Sequence, residues 1–277
     1  MVAQEVATAD LLSNGRFDLG LGLGLGLGLG LGLGLGLGLG LGLGYQHYEF
    51  ERFGQDLGGS RSRWEESVDI MLRAFTGEPF TYEGTHFQIP QTWVLSVPIQ
   101  RPHPPIWVVG QCPESVAATV RRGFNLVTGG FGVPIDRLRE FRASLDELLA
   151  QRPPAQPIGV STQRPVFVTN NEADARAAAE QARWNMRFTL SLRQNYGRVE
   201  NGRAIPIPFE GEPSTDKMLD SHLVIGTRQT CIERLATRRE VMGTDHFVAN
   251  AWCGDMSLEK VLESMHLFAS EVMPAVD

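Results

Sequence analysis

The chain has few cysteines and no concentrated positive charge. Its 277 residues include three cysteines, Cys112, Cys231 and Cys253, at unrelated spacings. So sparse and odd a set indicates free thiols in a reducing compartment and does not form a zinc motif. The net charge of −7 argues against a nucleic-acid partner held through its phosphates, and no basic cluster predicts a membrane anchor. We therefore expect a cytoplasmic protein with neither kind of partner.

Several catalytic patterns are also missing from the sequence. We find no signal peptide, no paired carboxylates, no nucleophile–histidine pair and no cluster of metal ligands. If the chain is an enzyme, this absence predicts that a bound cofactor carries the reaction, while the protein positions and shields the reacting atoms.

A strict Leu–Gly repeat covers residues 19–44, which is 26 residues or 13 pairs. As a membrane helix it would lose about 13 kcal/mol to its glycines and regain only roughly 4 to 8 kcal/mol from its leucines. As a strand it places every leucine on one face, but 26 residues would span about 86 Å, far beyond an ordinary strand. We therefore expect at most one short window to form a strand. A silk-like or aggregating segment is the alternative.

Short apolar strands alternate with amphipathic helices beyond this repeat. Such alternation predicts parallel strands joined by right-handed crossovers, and therefore an α/β fold. We count about five strand–helix units. A closed (β/α)8 barrel needs eight, whereas an open doubly wound sheet can stop at five or six, so the count leaves both open. The first predicted strand begins at residue 16, and the other four cover 106–110, 124–128, 166–168 and 246–250. The predicted helices cover 2–12, 60–75, 114–122, 134–149, 171–184, 229–242 and 257–273.

Several segments resemble bacterial luciferase and its relatives. They are EVATADLLSNGRFDLGLG, YQHYEFERFG with the loop and helix that follow it, PIQRPHPPIWVVG, HLVIGTRQTCIERL and LESMHLFASEVMP. Their order and spacing are similar to those of the luciferase-like family of flavin- or deazaflavin-dependent oxidoreductases. The resemblance implies a (β/α)8 TIM barrel that is incomplete here, with about five of eight units and without the first three strands. We expect a single barrel domain over 1–277, with the low-complexity tract of 19–44 inside it.

Two places could hold the phosphate of such a cofactor, which needs fixed positive charge and backbone N–H groups at a helix start. The first is Arg61 at the start of a helix that we expect Ser60 to cap; an ion pair with Glu65 is the alternative role for this arginine. The second is the strand-to-helix turn from Gly110 to Ser115. There we expect contacts from Gly110, Gln111, Cys112 and Ser115, with an ordinary helix cap at Glu114 or Ser115 as the alternative.

The exit of the repeat is the third candidate region. The resemblance places Gly44 and Tyr45 next to the flavin, although Tyr45 could equally be rim packing. His47 is a weak catalytic candidate, since a solvated loop histidine explains it as well. No metal site is expected.

The resemblance implies an oxidoreductase with two possible cofactors. With reduced FMN from a separate flavin reductase, and O2, the reaction would insert one oxygen atom into a small organic substrate. With reduced F420 it would be a hydride transfer. We favour the flavin-dependent monooxygenase, keep the F420 enzyme as the alternative, and keep a non-catalytic barrel remnant as the alternative of another class. A homodimer is expected in each case.

Overall fold

The computed structural model describes most of the chain outside the centre of the Leu–Gly repeat. The described residues are 1–22, 38–42, 50–51, 53–110, 112–128, 133–153, 157–193, 197–201, 203–221, 223–244, 246–252 and 254–276. They divide into two compact units, residues 1–126 and residues 127–277. The single domain expected over the whole chain stays a prediction.

The first unit contains parallel strands, helices and a small hairpin. A helix is followed by the two strands that lie in the repeat, then by the helix that carries Arg61, the hairpin and a buried strand that leads into another helix. In chain order these elements are α1 (Val2–Leu12), β1 (Asp18–Gly22), β2 (Gly38–Gly42), α2 (Ser60–Thr76), β3 (Phe80–Glu83), β4 (Gln88–Thr92), β5 (Ile106–Val109) and α3 (Pro113–Arg122). A further strand, β6 (Asn125–Thr128), lies at the border of the two units.

The repeat supplies two strands, so our expectation of at most one strand window was wrong. β1 pairs in parallel with β5 on one side and with β2 on the other, and Leu19 lies opposite Leu39. The offset between β1 and β2 is an even number of residues, so leucine meets leucine and glycine meets glycine. The strict period of two explains why the repeat can pair with itself.

The core of the first unit lies between these strands and the helices α1 and α2. Leu19 and Leu21 of β1 are buried in one cluster with Ile106 and Val108 of β5. This cluster also contains Phe75 of α2, together with Val6, Phe17, Val68, Met71 and Phe124. Burial of these side chains is the main term that fixes α1 and α2 against the strands.

Gly59 is the N-cap residue of α2, so our expectation of a cap at Ser60 was wrong, and a turn closed by Asp56 precedes the helix. The structure places Gly59 at the N-cap position, and the Asp56 carboxylate accepts hydrogen bonds from the N–H groups of Gly58 (3.1 Å) and Gly59 (2.7 Å). These two bonds lower the pKa of Asp56. The amides ahead of α2 are thus already occupied by a carboxylate of the chain itself.

The second unit also alternates strands with helices. Its elements are α4 (Ile135–Leu149), β7 (Val160–Val168), α5 (Glu172–Arg193), β8 (Arg198–Glu200), β9 (Arg203–Ile205), α6 (Thr215–Ser221), β10 (Val224–Gly226), α7 (Arg228–Met242), β11 (His246–Asn250), α8 (Leu258–Leu267), a π-helical turn (Phe268–Val272) and α9 (Met273–Val276). β7 pairs in parallel with β10 and with β11, whereas β8 and β9 form an antiparallel hairpin.

The five strands predicted from sequence are all present, as β1, β5, β6, β7 and β11. The strands β8, β9 and β10 and the helix α6 were not predicted from the sequence. Among the described residues, no helix is both long and apolar enough to cross a bilayer.

Candidate functional site

The carboxyl ends of three parallel strands meet at one edge of the first unit. Gly22 at the end of β1 lies opposite Val109 at the end of β5 and opposite Gly42 at the end of β2. Parallel α/β proteins build their sites at this edge. The turn that leaves β5 and enters α3 is therefore in the position that we expected for cofactor contacts.

Helix α3 begins earlier than the sequence indicated. Pro113 is its first residue and Cys112 is its N-cap, with an extended backbone (φ −87°, ψ 151°). Proline favours this first position because its φ is preset for a helix and its missing N–H would have no partner there. The alternative that we gave for this turn, a helix cap at Glu114 or Ser115, was therefore wrong. Ser115 instead lies inside the first turn and is buried.

The two phosphate candidates are a single cluster. The guanidinium Nη2 of Arg61, on α2, lies 3.4 Å from the Ser115 hydroxyl on α3, although the two residues are 54 positions apart. The Cys112 thiol lies 2.7 Å from the same hydroxyl. Among the described residues no ion pair links Arg61 to Glu65, so the alternative role for this arginine is not the one observed.

Gly110 is explained by packing inside the unit. A Cβ at this position would lie 3.2 Å from Leu126 Cδ1 and 3.5 Å from the Ser115 Cβ. The missing side chain therefore lets α3 approach the end of β5 closely. Contact of the Gly110 backbone with a cofactor stays a prediction.

Glu114 was not among our site candidates, yet it lies in the first turn of α3, next to Ser115 in the sequence. The pKa of Glu114 lies below its ordinary value, mainly because the backbone N–H of its own residue and the Cys112 thiol favour the ionised carboxylate, with a smaller contribution from the charge of Arg61. Its place in the first turn of α3 is a sequence signal for an acidic side chain that stabilises a helix start.

A serine–histidine pair links α2 to the β3–β4 turn, although we saw none in the sequence. The Ser62 hydroxyl lies 2.7 Å from Nε2 of His86, in the turn between β3 and β4, and 3.2 Å from the Gly59 carbonyl. The Glu66 carboxylate accepts the N–H groups of Thr85, His86 and Phe87 at the same turn. These contacts tie the β3–β4 hairpin to the helix that carries Arg61, so they support the position of α2.

Four site candidates, Gly44, Tyr45, His47 and Gln111, lie outside the described residues. Their roles stay predictions. Within the described residues, no group of three or more histidine, cysteine, aspartate or glutamate side chains could hold a metal ion.

The described cluster has the donors that a phosphate monoester requires. It combines one guanidinium, one hydroxyl and the first turn of a ten-residue helix that follows a parallel strand. Guanidinium groups match phosphate geometry, and the helix start adds N–H groups and a partial positive charge.

The comparison with protein families decides what kind of protein carries this cluster. A model of the luciferase-like monooxygenase family matches residues 36–246, which is most of the chain. The chain belongs to the luciferase-like monooxygenase family. The match begins two residues before β2 and includes both Arg61 and Ser115.

Known luciferase-like proteins cover nearly the whole chain. The oxygenase component of a flavin-dependent trigonelline monooxygenase from Acinetobacter baylyi is 25% identical over 281 residues, which is 99% of this chain and 71% of the relative. The monooxygenase RslO1 from Streptomyces bottropensis has a TM-score of 0.73 and 19% identity, and the likeness covers 100% of this chain and 74% of the other. The coenzyme F420-dependent tetrahydromethanopterin reductase from Methanopyrus kandleri has a TM-score of 0.69 and 15% identity, with 100% and 79% coverage.

These likenesses confirm the resemblance drawn from the sequence segments. The luciferase-like chain has the α/β fold of the (β/α)8-barrel proteins in this family, and the expected oxidoreductase class is the class of its relatives.

Proposed function

We propose that this chain is a flavin-dependent monooxygenase that uses reduced FMN and O2 on a small organic substrate. Arg61 and Ser115 hold the FMN phosphate in this proposal, with Cys112, Gln111 and the backbone of Gly110 beside them. A separate reductase supplies the reduced flavin, by analogy with the trigonelline enzyme, which is named as an oxygenase component.

The contact between Arg61 and Ser115 is the observation that carries this proposal. It joins the starts of two helices at the carboxyl edge of the parallel strands. Arg61 gains little from this contact alone, because 3.4 Å is long for a hydrogen bond and the hydroxyl carries no charge. A phosphate between the same groups would give the guanidinium an oppositely charged acceptor and shorter, stronger bonds.

The residues described here bind and orient; they do not supply an acid or a nucleophile to the reaction. Arg61 neutralises phosphate charge, and the Ser115 hydroxyl donates a hydrogen bond that fixes the phosphate relative to α3. Bound reduced FMN would supply the electrons that activate O2. Fixing the phosphate end restricts where the flavin ring can lie, which is the protein's contribution to positioning.

Titration of the purified protein with FMN, F420 and riboflavin tests the proposal. We expect saturable FMN binding, seen as a change in flavin fluorescence, and weaker binding of riboflavin, which has no phosphate. Arg61→Ala should weaken FMN binding by about 10- to 100-fold, and Ser115→Ala by about 2- to 10-fold. Arg137→Ala is the matched control, because this arginine lies on α4, is 70% exposed and pairs with its helix neighbour Glu140.

The other possible outcomes of this titration distinguish the alternative functions. Saturable binding of F420 instead of FMN would establish the hydride-transfer alternative. FMN binding that Arg61→Ala leaves unchanged would refute the proposed site. A protein that is folded by circular dichroism and binds neither cofactor would be the non-catalytic remnant.

Two further parts of the proposal concern assembly and location. We propose a homodimer in the cytoplasm, where the free thiols of Cys112 and Cys231 stay reduced. Light scattering after gel filtration tests the dimer: a mass of about 61 kDa, twice the chain mass of 30.5 kDa, is expected, and a single-chain mass would refute it.

A further inference from the structure

Two polar contacts join α2 to α3, and they lie about two helical turns apart along both helices. At the helix starts, the Arg61 guanidinium lies 3.4 Å from the Ser115 hydroxyl. Farther along, Nη1 of Arg122 donates to Oδ1 of Asp69 at 2.6 Å, in an ion pair whose side chains are 27% and 42% exposed. Asp69 follows Arg61 on α2, and Arg122 follows Ser115 on α3, so the two helices run side by side in the same direction.

The hydrophobic cluster around α2 orients this helix against the strands. The buried face of α2, which includes Val68, Met71 and Phe75, packs in one cluster with leucines of β1 and with apolar side chains of β5. Among the described residues, that cluster contains no side chain of α3. The cluster therefore leaves the distance between α2 and α3 to other contacts, and the Asp69–Arg122 ion pair is the charged contact that spans this distance.

We propose that Asp69 and Arg122 are positioning residues whose ion pair holds Arg61 at the distance from Ser115 that a phosphate requires. The inference rests on the proposed function, in which these two groups bind the flavin phosphate. A phosphate oxygen must lie within about 3 Å of each donor, so a small shift of α2 along or away from α3 breaks one of the bonds. The ion pair does not touch the phosphate, and it acts through Arg61.

The opposite charges of the pair distinguish positioning from a charge effect at a distance. A charge effect alone would make FMN binding tighter in Asp69→Asn, which removes a negative charge, and weaker in Arg122→Gln. Positioning of Arg61 requires that both substitutions weaken FMN binding. We expect about three- to tenfold for each, which is roughly half of the free energy that Arg61 contributes, because a displaced guanidinium keeps part of its bonding. Riboflavin binding should not change, since riboflavin has no phosphate.

Arg121→Gln is the matched control for Arg122→Gln. Both arginines lie in the last turn of α3, where a positive charge interacts favourably with the helix end, but Arg121 is exposed whereas Arg122 is paired with Asp69. FMN and riboflavin are titrated against wild type and the three variants, and circular dichroism establishes that each is folded. Arg121→Gln should bind FMN as wild type does. If Arg122→Gln does not fold, Asp69→Asn decides the question alone.

The double variant Arg61→Ala/Arg122→Gln tests whether Arg122 acts through Arg61. A positioning residue has nothing left to position once the arginine is gone. The second substitution should therefore leave the FMN affinity of Arg61→Ala unchanged, so that the two losses are not additive.

The outcomes separate this inference from the proposed function. If Arg61→Ala weakens FMN binding but Asp69→Asn leaves it unchanged or makes it tighter, the ion pair does not position Arg61 and the phosphate site stands. Additive losses in the double variant, or equal losses for FMN and riboflavin, would also overturn the inference. If Arg61→Ala has no effect, or the wild type does not bind FMN, the proposed function fails and the inference fails with it.

Discussion

The side chain of Gln100 joins three segments around the buried carboxylate of Asp10. Asp10 on α1 is fully buried and accepts the Gln100 backbone N–H (2.9 Å) and the Gln100 Nε2 (2.8 Å). The same Nε2 donates to the carbonyl of Phe17 at 2.6 Å, just before β1. Gln100 precedes β5, so this one amide fixes α1 and the entrances of both strands whose ends carry the candidate site.

Gln100→Ala should cost about 2 to 4 kcal/mol of unfolding free energy. The variant loses one hydrogen bond to a carboxylate, worth about 1.5 to 3 kcal/mol, and one to a carbonyl, worth about 0.5 to 1.5 kcal/mol. The backbone bond to Asp10 is unaffected by the substitution. At a slope of about 2 kcal/mol per molar urea, the midpoint should fall by roughly 1 to 2 M.

Urea unfolding followed by circular dichroism and tryptophan fluorescence measures this change. The control is Gln229→Ala on α7, which removes a glutamine–carboxylate bond of 2.8 Å to Glu233 that is exposed instead of buried. Its expected cost is about 0.5 kcal/mol or less. A Gln100→Ala midpoint equal to that of the control would refute the argument that burial makes the Asp10 bonds strong.

Two more predictions concern the second unit and the thiols. Burial by itself raises the pKa of Glu212, but Arg187 and Arg183 outweigh it and hold the pKa below its usual 4.5. The stability that this carboxylate contributes is therefore present above pH 4.5 and is lost as the pH falls through the lowered value. Glu212→Gln should cost about 2 to 4 kcal/mol at pH 7 in urea unfolding and flatten this acid dependence, and an unchanged acid dependence would contradict the prediction. Burial raises the pKa of the Cys231 thiol to about 11. At pH 8 its alkylation by iodoacetamide, measured by peptide mapping, should therefore be at least ~100-fold slower in the folded protein than in urea, whereas the partly exposed Cys112 should react in both. Rapid labelling of Cys231 in the folded state would show that it is not buried.

The elements with a clear period were predictable from sequence, and short or repetitive ones were not. The amphipathic pattern of α2 and the apolar run of β5 give unambiguous signals. β10 was missed because three residues are too few to show a period. β2 was missed because every window of the repeat has the same pattern, so only pairing with β1 selects residues 38–42.

The candidate site was predictable in its parts but not in its assembly. Arg61 and the turn up to Ser115 each had a local signal, but their contact joins residues 54 positions apart and depends on how α2 and α3 pack. The turn closed by Asp56 could have been predicted, because an aspartate before Gly58 and Gly59 is a turn signal in which the carboxylate bonds the amides two and three residues later. Ser62 and His86 carry no local sign of their pairing.

The cluster of Arg61, Cys112 and Ser115 has groups that can bind a phosphate, but phosphate binding alone does not determine which reaction occurs. In the proposed site, FMN or F420 would present phosphate oxygens to Arg61 and Ser115, so these contacts would set the affinity for either cofactor. Oxygen insertion and hydride transfer differ at the ring, where contacts are expected from Gly44 and Tyr45. It follows that substitutions of Arg61 should change the concentration of cofactor needed for half-saturation while leaving the kind of product unchanged, and that a change of product would require substitutions on the ring side.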